Sequence, residues 1–146
     1  YAQAHIQRQM QADTFRKEYL ALVCGILPET EGVIDAPIDR VAPDSFTRAV
    51  LPGGQRAVTR YRVEAALRDI SLVRLFPVTG RTHQLRVHMA HIGVPLDADF
   101  LYGTPKEGAH YRLAAAYLGF LHPTTKEAMS FSYRPDFVRS EFPEYE

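Results

Sequence analysis

The sequence has little of what marks several common classes of protein. Cys24 is its single cysteine, which excludes a disulfide within one chain and argues against a cysteine-based zinc site. No apolar run is long enough to span a membrane, and the first residues lack the pattern of a signal peptide. These absences favour a cytoplasmic protein. The chain also lacks an initial methionine, which is consistent with a piece of a longer protein.

Net charge is lacking as well, because 17 Lys and Arg balance 17 Asp and Glu. This balance argues mildly against nucleic-acid binding, since phosphate contacts need cations. A local cluster of arginines can nevertheless serve an RNA groove in a neutral protein. The 146 residues are 46% hydrophobic and 23% charged, which is ordinary for one soluble globular domain with its own core.

Strand patterns dominate the chain. Residues 17–25 are apolar on both faces and predict an interior strand, in which we expect Cys24 to be buried as a small hydrophobe. Period-two alternation over residues 55–68 predicts a strand with one wet face, with residues 46–50 as its hairpin partner. One face of that strand would carry Ala57, Thr59, Tyr61, Val63, Ala65 and Leu67.

Three further segments complete the predicted sheet. Residues 71–77 read as another strand, and residues 116–121 and 128–133 flank a turn and predict a second hairpin.

Residues 1–14 are rich in Ala and Gln and predict a helix. No linker divides the chain, so we expect one α+β domain over residues 1–146, with a largely antiparallel mixed sheet and a few helices.

A second helix is predicted from Thr82 to His91. Thr82 is the expected N-cap, and Leu85, Met89 and Ile92 form a buried stripe. The preceding turn carries Arg81 beside the free N–H groups of the helix start, an arrangement that suits a phosphate or a carboxylate. Arg86 projects near the same end. The alternative, equally weighted on the residues alone, is a capped helix with solvated arginines.

The histidines of this helix do not predict a metal site. A zinc site needs three or four convergent ligands, whereas His83 and His88 are five residues apart and diverge around the helix. We expect His88 and His91 to be structural, and His83 to form hydrogen bonds or face RNA. Asp97 and Asp99 resemble a carboxylate pair, but acidic turn residues are usually solvated or cap a loop, and we expect that here.

Several segments together resemble the RluA-type RNA pseudouridine synthases, and the resemblance runs from about residue 17 to 135. Thr79-Gly80-Arg81-Thr82-His83-Gln84-Leu85-Arg86-x-His88 is the most specific block. The others, in order, are Lys17-x-Tyr19-x-Ala21-x-Val23-x-Gly25, Gly32-Val33-Ile34-x-x-Pro37-Ile38-x-Arg40, Ala57-x-Thr59-x-Tyr61-x-Val63, Gly93-x-Pro95, Asp99-x-x-Tyr102-Gly103 and Leu118-x-Phe120-x-His122-Pro123.

The resemblance implies part of the pseudouridine synthase catalytic fold and a reaction that needs no cofactor or metal. A uridine of ribosomal or transfer RNA would be flipped out, its glycosidic bond cleaved, and the base rejoined through C5. Tyr19 and Arg86 would be the catalytic residues present, Tyr19 packing on the base and Arg86 pairing with a catalytic Asp.

Residues beside the catalytic pair would bind the substrate. By the same resemblance, Leu85 would pack near the base, and Arg81, Thr82 and His83 would line the cleft near RNA phosphate.

The sequence departs from the family pattern where the nucleophile would be. The Arg-Leu-Asp stretch that carries the catalytic Asp in the family does not occur in this chain. Ala98 and Ala114 are smaller departures, standing where the family usually has Gly and His. We therefore expect the chain to be inactive alone and to belong to an active parent isomerase. A non-catalytic RNA-binding relative of the same fold is the alternative. The oligomeric state and the target uridine are not specified by the sequence.

Overall fold

A computed structural model describes residues 16–145 of the chain. The predicted helix over residues 1–14 lies outside them. The described residues form eight strands and two helices, namely β1 (Arg16–Cys24), β2 (Glu31–Asp35), β3 (Ile38–Arg40), β4 (Arg48–Val50), β5 (Val58–Leu67), β6 (Ile70–Pro77), α1 (Gln84–His91), β7 (Leu113–Leu121), β8 (Ala128–Ser132) and α2 (Asp136–Glu141).

Six of the strands form one antiparallel sheet in the order β2-β5-β6-β1-β7-β8. The expectation of an α+β fold with a largely antiparallel sheet is therefore confirmed. Strand β1 lies inside this sheet, and the predicted hairpin near residue 123 forms as β7 and β8. Strands β3 and β4 pair with each other in a separate two-stranded sheet.

The two helices cover opposite faces of the sheet. Successive side chains of a strand point to opposite faces, so β1 sends Ala21 and Val23 towards α1 and Leu20 and Leu22 towards α2. Because both faces are covered, β1 is apolar at every position from Leu20 to Val23. The core beneath α1 positions the candidate site.

The alternation predicted for residues 55–68 is interrupted by a bulge. Strand β5 shifts register against β6 between Val63 and Ala65. Val63 packs against the cluster under α1, whereas Ala65 packs against the cluster under α2, and Leu67 is exposed. The prediction was wrong for these last two positions because one extra residue in a strand reverses every face that follows.

The predicted pairing of residues 46–50 with strand β5 is also wrong. Strand β4 pairs with β3, because β2 and β6 occupy both edges of β5. Gln55, just after the turn, exchanges two backbone hydrogen bonds of 2.9 Å with Ile38 of β3. A Cβ atom at Gly54 would lie 2.8 Å from the Ile38 carbonyl carbon, so only glycine allows this close approach.

Cys24 is exposed, contrary to the sequence prediction. It is the last residue of β1, and its sulfur lies 3.8 Å from Oδ1 of Asp97. Partial burial, followed by the nearby Asp97 carboxylate, raises the pKa of the Cys24 thiol. The thiol is therefore protonated at neutral pH.

Candidate functional site

The start of helix α1 differs from the sequence prediction. The helix begins at Gln84, and the residue before it, His83, has a left-handed backbone with φ of 57°. Thr82 is exposed and is not the N-cap, and the His83 side chain makes no capping hydrogen bond either. The left-handed turn at His83 separates Thr82 from the helix. Thr82 therefore does not cap the helix, although threonine is a preferred N-cap residue.

Gln84 fixes this helix start instead. Its carboxamide oxygen accepts hydrogen bonds from the Thr79 hydroxyl at 2.6 Å and from the Arg81 N–H at 3.0 Å. Its amide nitrogen donates to the Val58 carbonyl at 2.9 Å and to the Thr59 hydroxyl at 3.0 Å. One buried side chain thus ties the turn before α1 to strand β5 and to the helix.

Arg86 is buried and forms a bidentate ion pair with Asp99. Its Nε donates to Oδ2 at 2.9 Å and its Nη2 donates to Oδ1 at 2.7 Å. Arg86 is 4% exposed and Asp99 is 0% exposed. Neither is solvated. Of the two roles expected for Asp99, a solvated residue or a loop cap, the cap is the one that forms, because Oδ1 accepts hydrogen bonds from the N–H groups of Leu101 and Tyr102.

The electrostatics of the pair keep both groups charged. Burial raises the pKa of Asp99, but hydrogen bonds from Arg86 and from the backbone of Leu101 and Tyr102 outweigh it and hold the pKa below its ordinary value. For Arg86, burial lowers the pKa, and the bonds to Asp99 reverse that effect. Nη1 of Arg86 has no hydrogen-bond partner among residues 16–145.

Three aromatic rings surround the Arg86 guanidinium. Its central carbon lies 4.0 Å from the ring centroid of Tyr111, 5.1 Å from that of Tyr102 and 5.2 Å from that of Phe100. A guanidinium over an aromatic face is stabilised by the ring quadrupole. The rings and Asp99 together hold the guanidinium in one orientation.

His83 is linked to this group through Tyr102. Nδ1 of His83 and the Tyr102 hydroxyl are 2.8 Å apart, and the same hydroxyl accepts the Arg48 N–H at 2.9 Å. Burial, followed by the positive charges of Arg86 and Arg48, lowers the pKa of His83. The ring is therefore neutral at pH 7, and the expectation that it forms hydrogen bonds is confirmed.

Tyr19 and Leu85 lie on the same face of the sheet as α1. Leu85 belongs to the buried cluster under the helix, and Tyr19 packs against that cluster, as does Tyr111, whose ring contacts Arg86. Tyr19 and Arg86 are therefore not separated by the sheet. Four other predicted site residues, Arg81, Thr82, His83 and Leu85, fall within the five residues that precede Arg86.

Arginines without an ion-pair partner surround the site. Within the described part of the chain, no carboxylate pairs with Arg40, Arg48, Arg56 or Arg81. Nε of Arg81 donates to the Arg56 carbonyl at 2.8 Å, which brings those two residues together. These four arginines therefore supply cations near Arg86 that no described carboxylate neutralises, although Arg139 on α2 also lacks an ion pair.

The two remaining histidines of α1 differ in environment. His88 is fully buried, with Nδ1 2.8 Å from the Thr59 hydroxyl and Nε2 2.9 Å from the Ala36 carbonyl oxygen, so its structural role is confirmed. His91 is exposed, which does not fit the structural role expected for it. Over residues 16–145, no group of three or more His, Cys, Asp or Glu could hold a metal ion.

The second carboxylate of the predicted acidic loop has a separate environment. Asp97 is buried rather than solvated, and its Oδ1 accepts a hydrogen bond from Nζ of Lys106.

The sequence did not predict the role of Tyr111 or the pairing of Asp99 with Arg86. The one available signal was the block that contains Asp99 and Tyr102, which begins eight residues after the helix ends at His91.

Similarity to known proteins was found by sequence. A family model described as RNA pseudouridylate synthase matches residues 2–91. An uncharacterized RNA pseudouridine synthase of Bacillus subtilis is 44% identical over 80% of this chain and 41% of the relative. Ribosomal large subunit pseudouridine synthase D of Pasteurella multocida is 37% identical over 89% of this chain and 44% of the relative. The chain spans less than half the length of these relatives.

Solved structures agree with the sequence matches. Human RNA pseudouridylate synthase domain containing 1 superimposes with a TM-score of 0.79 and 28% identity, covering 94% of this chain and 61% of the human chain. Human RNA pseudouridylate synthase domain containing 4 superimposes with a TM-score of 0.71 at 23% identity, which supports the shared fold. Within residues 16–145, no helix is both long and apolar enough to cross a membrane.

Proposed function

Because the chain belongs to the RNA pseudouridylate synthase family, we propose that it forms part of the catalytic domain of an enzyme that isomerises uridine to pseudouridine in ribosomal or transfer RNA. The reaction would use no metal or cofactor and would take place in the cytoplasm. Arg86 and Tyr19 would be catalytic residues, and Arg81, Thr82, His83 and Leu85 would bind the substrate.

The observation that carries the proposal is the partly used guanidinium of Arg86. Asp99 takes up Nε and Nη2, and Nη1 is left without a protein hydrogen-bond partner in residues 16–145. A second carboxylate could therefore bind Arg86 without displacing Asp99. In a cleft that excludes water, such a carboxylate would be pushed towards its neutral form, and the adjacent guanidinium would keep it ionised for its work at the ribose.

The residues around Arg86 have the chemistry that a flipped uridine requires. Extruding a base costs a few kcal/mol, which stacking and hydrogen bonds in the pocket offset. Tyr19 and Leu85 lie against the same cluster and would form an apolar seat for the base. Arg81, with no carboxylate partner in the described residues, would bind RNA phosphate beside Thr82 and the neutral His83.

The catalytic carboxylate would come from the parent protein outside this sequence. The family's Arg-Leu-Asp stretch does not occur among the 146 residues, and the buried Asp99 is already engaged by Arg86 in a bidentate ion pair. We therefore expect the isolated chain to have no isomerase activity.

A tritium-release assay tests the proposal. RNA labelled with tritium at C5 of uridine loses its label when the base is rejoined through C5. We expect the full-length protein to release tritium, the isolated chain to release none, and the Arg86→Met variant of the full-length protein to lose on the order of a hundredfold in rate or more. Arg139→Met is the matched control and should retain the activity, because Arg139 is exposed on α2, on the opposite face of the sheet.

A double variant separates loss of folding from loss of function, and two further results would change the proposal. Because Arg86→Met leaves Asp99 buried and unpaired, the double variant Arg86→Met with Asp99→Leu removes both charges and tests whether stability returns without activity. Turnover by the isolated chain would contradict the requirement for an external carboxylate. A full-length protein that binds RNA without turnover would favour the non-catalytic RNA-binding relative.

A further inference from the structure

Residues 38–50, termed the finger here, carry the most exposed aromatic side chain among the large hydrophobic residues described. The finger is the β3–β4 hairpin with its connecting loop, and Phe46 in that loop is 85% exposed. Leaving a phenylalanine in water forgoes the free energy that burial would supply. The ring is therefore free to contact a partner, and its surroundings indicate which kind of partner it suits.

The loop that presents Phe46 is preorganised by hydrogen bonds. Nη1 of Arg48 donates to the carbonyl oxygens of Ser45 at 3.0 Å and of Phe46 at 3.3 Å. Nη1 of Arg40 donates to the Pro43 carbonyl at 3.0 Å, and the Thr47 N–H donates to the Ser45 hydroxyl at 3.0 Å. A loop that is already ordered loses little entropy when its exposed ring binds a partner.

The base of the finger is fixed to the candidate site. Ile38 packs with Val87 of α1 in a small buried cluster, and the Arg48 N–H donates to the Tyr102 hydroxyl at 2.9 Å. Tyr102 in turn contacts His83 and Arg86. Phe46 and Arg48 are two positions apart in the sequence, so their Cα atoms are no more than about 7 Å apart. Phe46 is therefore close to the rim of the site.

The charges around the finger favour a polyanionic partner. Arg40 and Arg48 belong to the finger, and Arg56 and Arg81 lie at its base, all without ion pairs in the described residues. The carboxylates on the finger are those of Asp39 and Asp44. An aromatic ring flanked by unpaired arginines is the combination that single-stranded nucleic acid recognises, because bases stack on the ring and phosphates bind the cations.

We propose that Phe46 is a stacking platform for an unpaired RNA base next to the target uridine. When the uridine leaves the stack, the neighbouring base loses a stacking partner, and the Phe46 ring replaces it. This inference rests on RNA being the substrate of the proposed function, but it does not depend on the isomerisation step.

Photo-crosslinking in the full-length protein tests the contact. The photoreactive analogue p-benzoylphenylalanine is incorporated in place of Phe46 and, as a matched control, in place of Phe131. Phe131 is also an exposed phenylalanine, 55% exposed, but it lies on the edge strand β8 and stacks on Phe120. With total ribosomal and transfer RNA as the probe, we expect the analogue at position 46 to crosslink RNA at least about tenfold more than the analogue at position 131.

Affinity measurements with natural residues complete the test. We expect Phe46→Ala to weaken RNA binding by about tenfold or more, Phe46→Trp to retain binding because indole also stacks, and Phe131→Ala to leave it unchanged. Equal crosslinking at the two positions, crosslinking of position 46 to the protein itself, or full affinity of Phe46→Ala would overturn the proposal. If the protein with the analogue at position 46 crosslinks RNA but the wild-type protein releases no tritium, the role of the finger is supported and the isomerase function fails.

Discussion

At the scale of single residues, Asp99 makes the buried position of Arg86 possible. A buried guanidinium without a counter-charge would be strongly destabilising, so Arg86 can lie under the three aromatic rings only because Asp99 neutralises it. Asp99 also accepts hydrogen bonds from two backbone N–H groups of its own loop. The carboxylate thus orders both the helix side chain and the loop that carries Phe100 and Tyr102.

Asp99→Asn should destabilise the full-length protein by about 3–5 kcal/mol at pH 7, since it leaves a charged arginine buried. The folded pKa of Asp99 is lowered, so its contribution is fully present above the ordinary carboxyl pKa of about 4 and is lost as pH falls towards the folded value. Chemical denaturation of both proteins from pH 7 to pH 3 should show the stability difference shrinking below about pH 4. A difference that stays constant to pH 3 would contradict the assignment.

Residue environments were predictable only where the pattern is local. His88 was correctly expected to be structural, because it belongs to an apolar helical face. Cys24 and Asp99 were not, because each depends on partners brought together by the fold: Cys24 ends a strand at the surface, and Asp99 meets Arg86 across 13 residues of chain. No periodicity in the sequence encodes such pairings.

At the scale of elements, the start of α1 shows how a helix can be positioned without a conventional cap. Gln84 makes four hydrogen bonds while 3% exposed, and these bonds join β5, the preceding turn and the helix. The sequence predicted the helix and its end at His91 but placed its start at Thr82. Propensity rules rank N-cap residues by identity, and they do not anticipate a side chain inside the helix that organises the turn before it.

Gln84→Ala should therefore lower the free energy of unfolding by roughly 2 kcal/mol or more, because it leaves the partly buried Thr79 hydroxyl without its acceptor and the Arg81 N–H without its partner. Thr82→Ala is the matched control and should be nearly neutral, since exposed Thr82 is not the cap. Urea denaturation of both variants checks the prediction. Equal losses in the two variants would restore Thr82 as the capping residue.

The strands themselves were predictable from their own residues, whereas their pairing depends on residues far away in the sequence. The alternation of residues 55–68 and the turn between β7 and β8 predicted those strands correctly, because both signals lie within the segments themselves. The pairing of β4 with β3 and the bulge in β5 depend on which edges other strands occupy. A segment cannot carry that information about its neighbours, so the sheet was predicted in class but not in full topology.

At the scale of the whole molecule, the net charge does not reveal how the charged residues are placed on the surface. Acidic residues neutralise the basic ones overall, and several pairs lie away from the site, such as Arg74 with Glu18 and Glu64. Four of the arginines without an ion pair in the described residues lie near α1 and the finger, namely Arg40, Arg48, Arg56 and Arg81, whereas Arg139 lies on α2. Composition alone therefore argued against nucleic-acid binding, although the family acts on RNA. We therefore expect the electrostatic contribution to RNA affinity to come from the arginines of that one surface rather than from the net charge.

Replacing one arginine of that surface tests this distribution. Arg56 is exposed and has no ion pair in the described residues, so we expect it to bind one phosphate and to release condensed counterions on binding. Arg56→Gln should reduce the slope of log affinity against log salt concentration by about 0.7 to 1, with affinity weakened across different RNA sequences. Arg139→Gln on α2 removes the same charge from the opposite face of the sheet and should leave the slope unchanged. If both variants lower the slope equally, RNA responds to the net charge of the protein rather than to the surface beside Arg86.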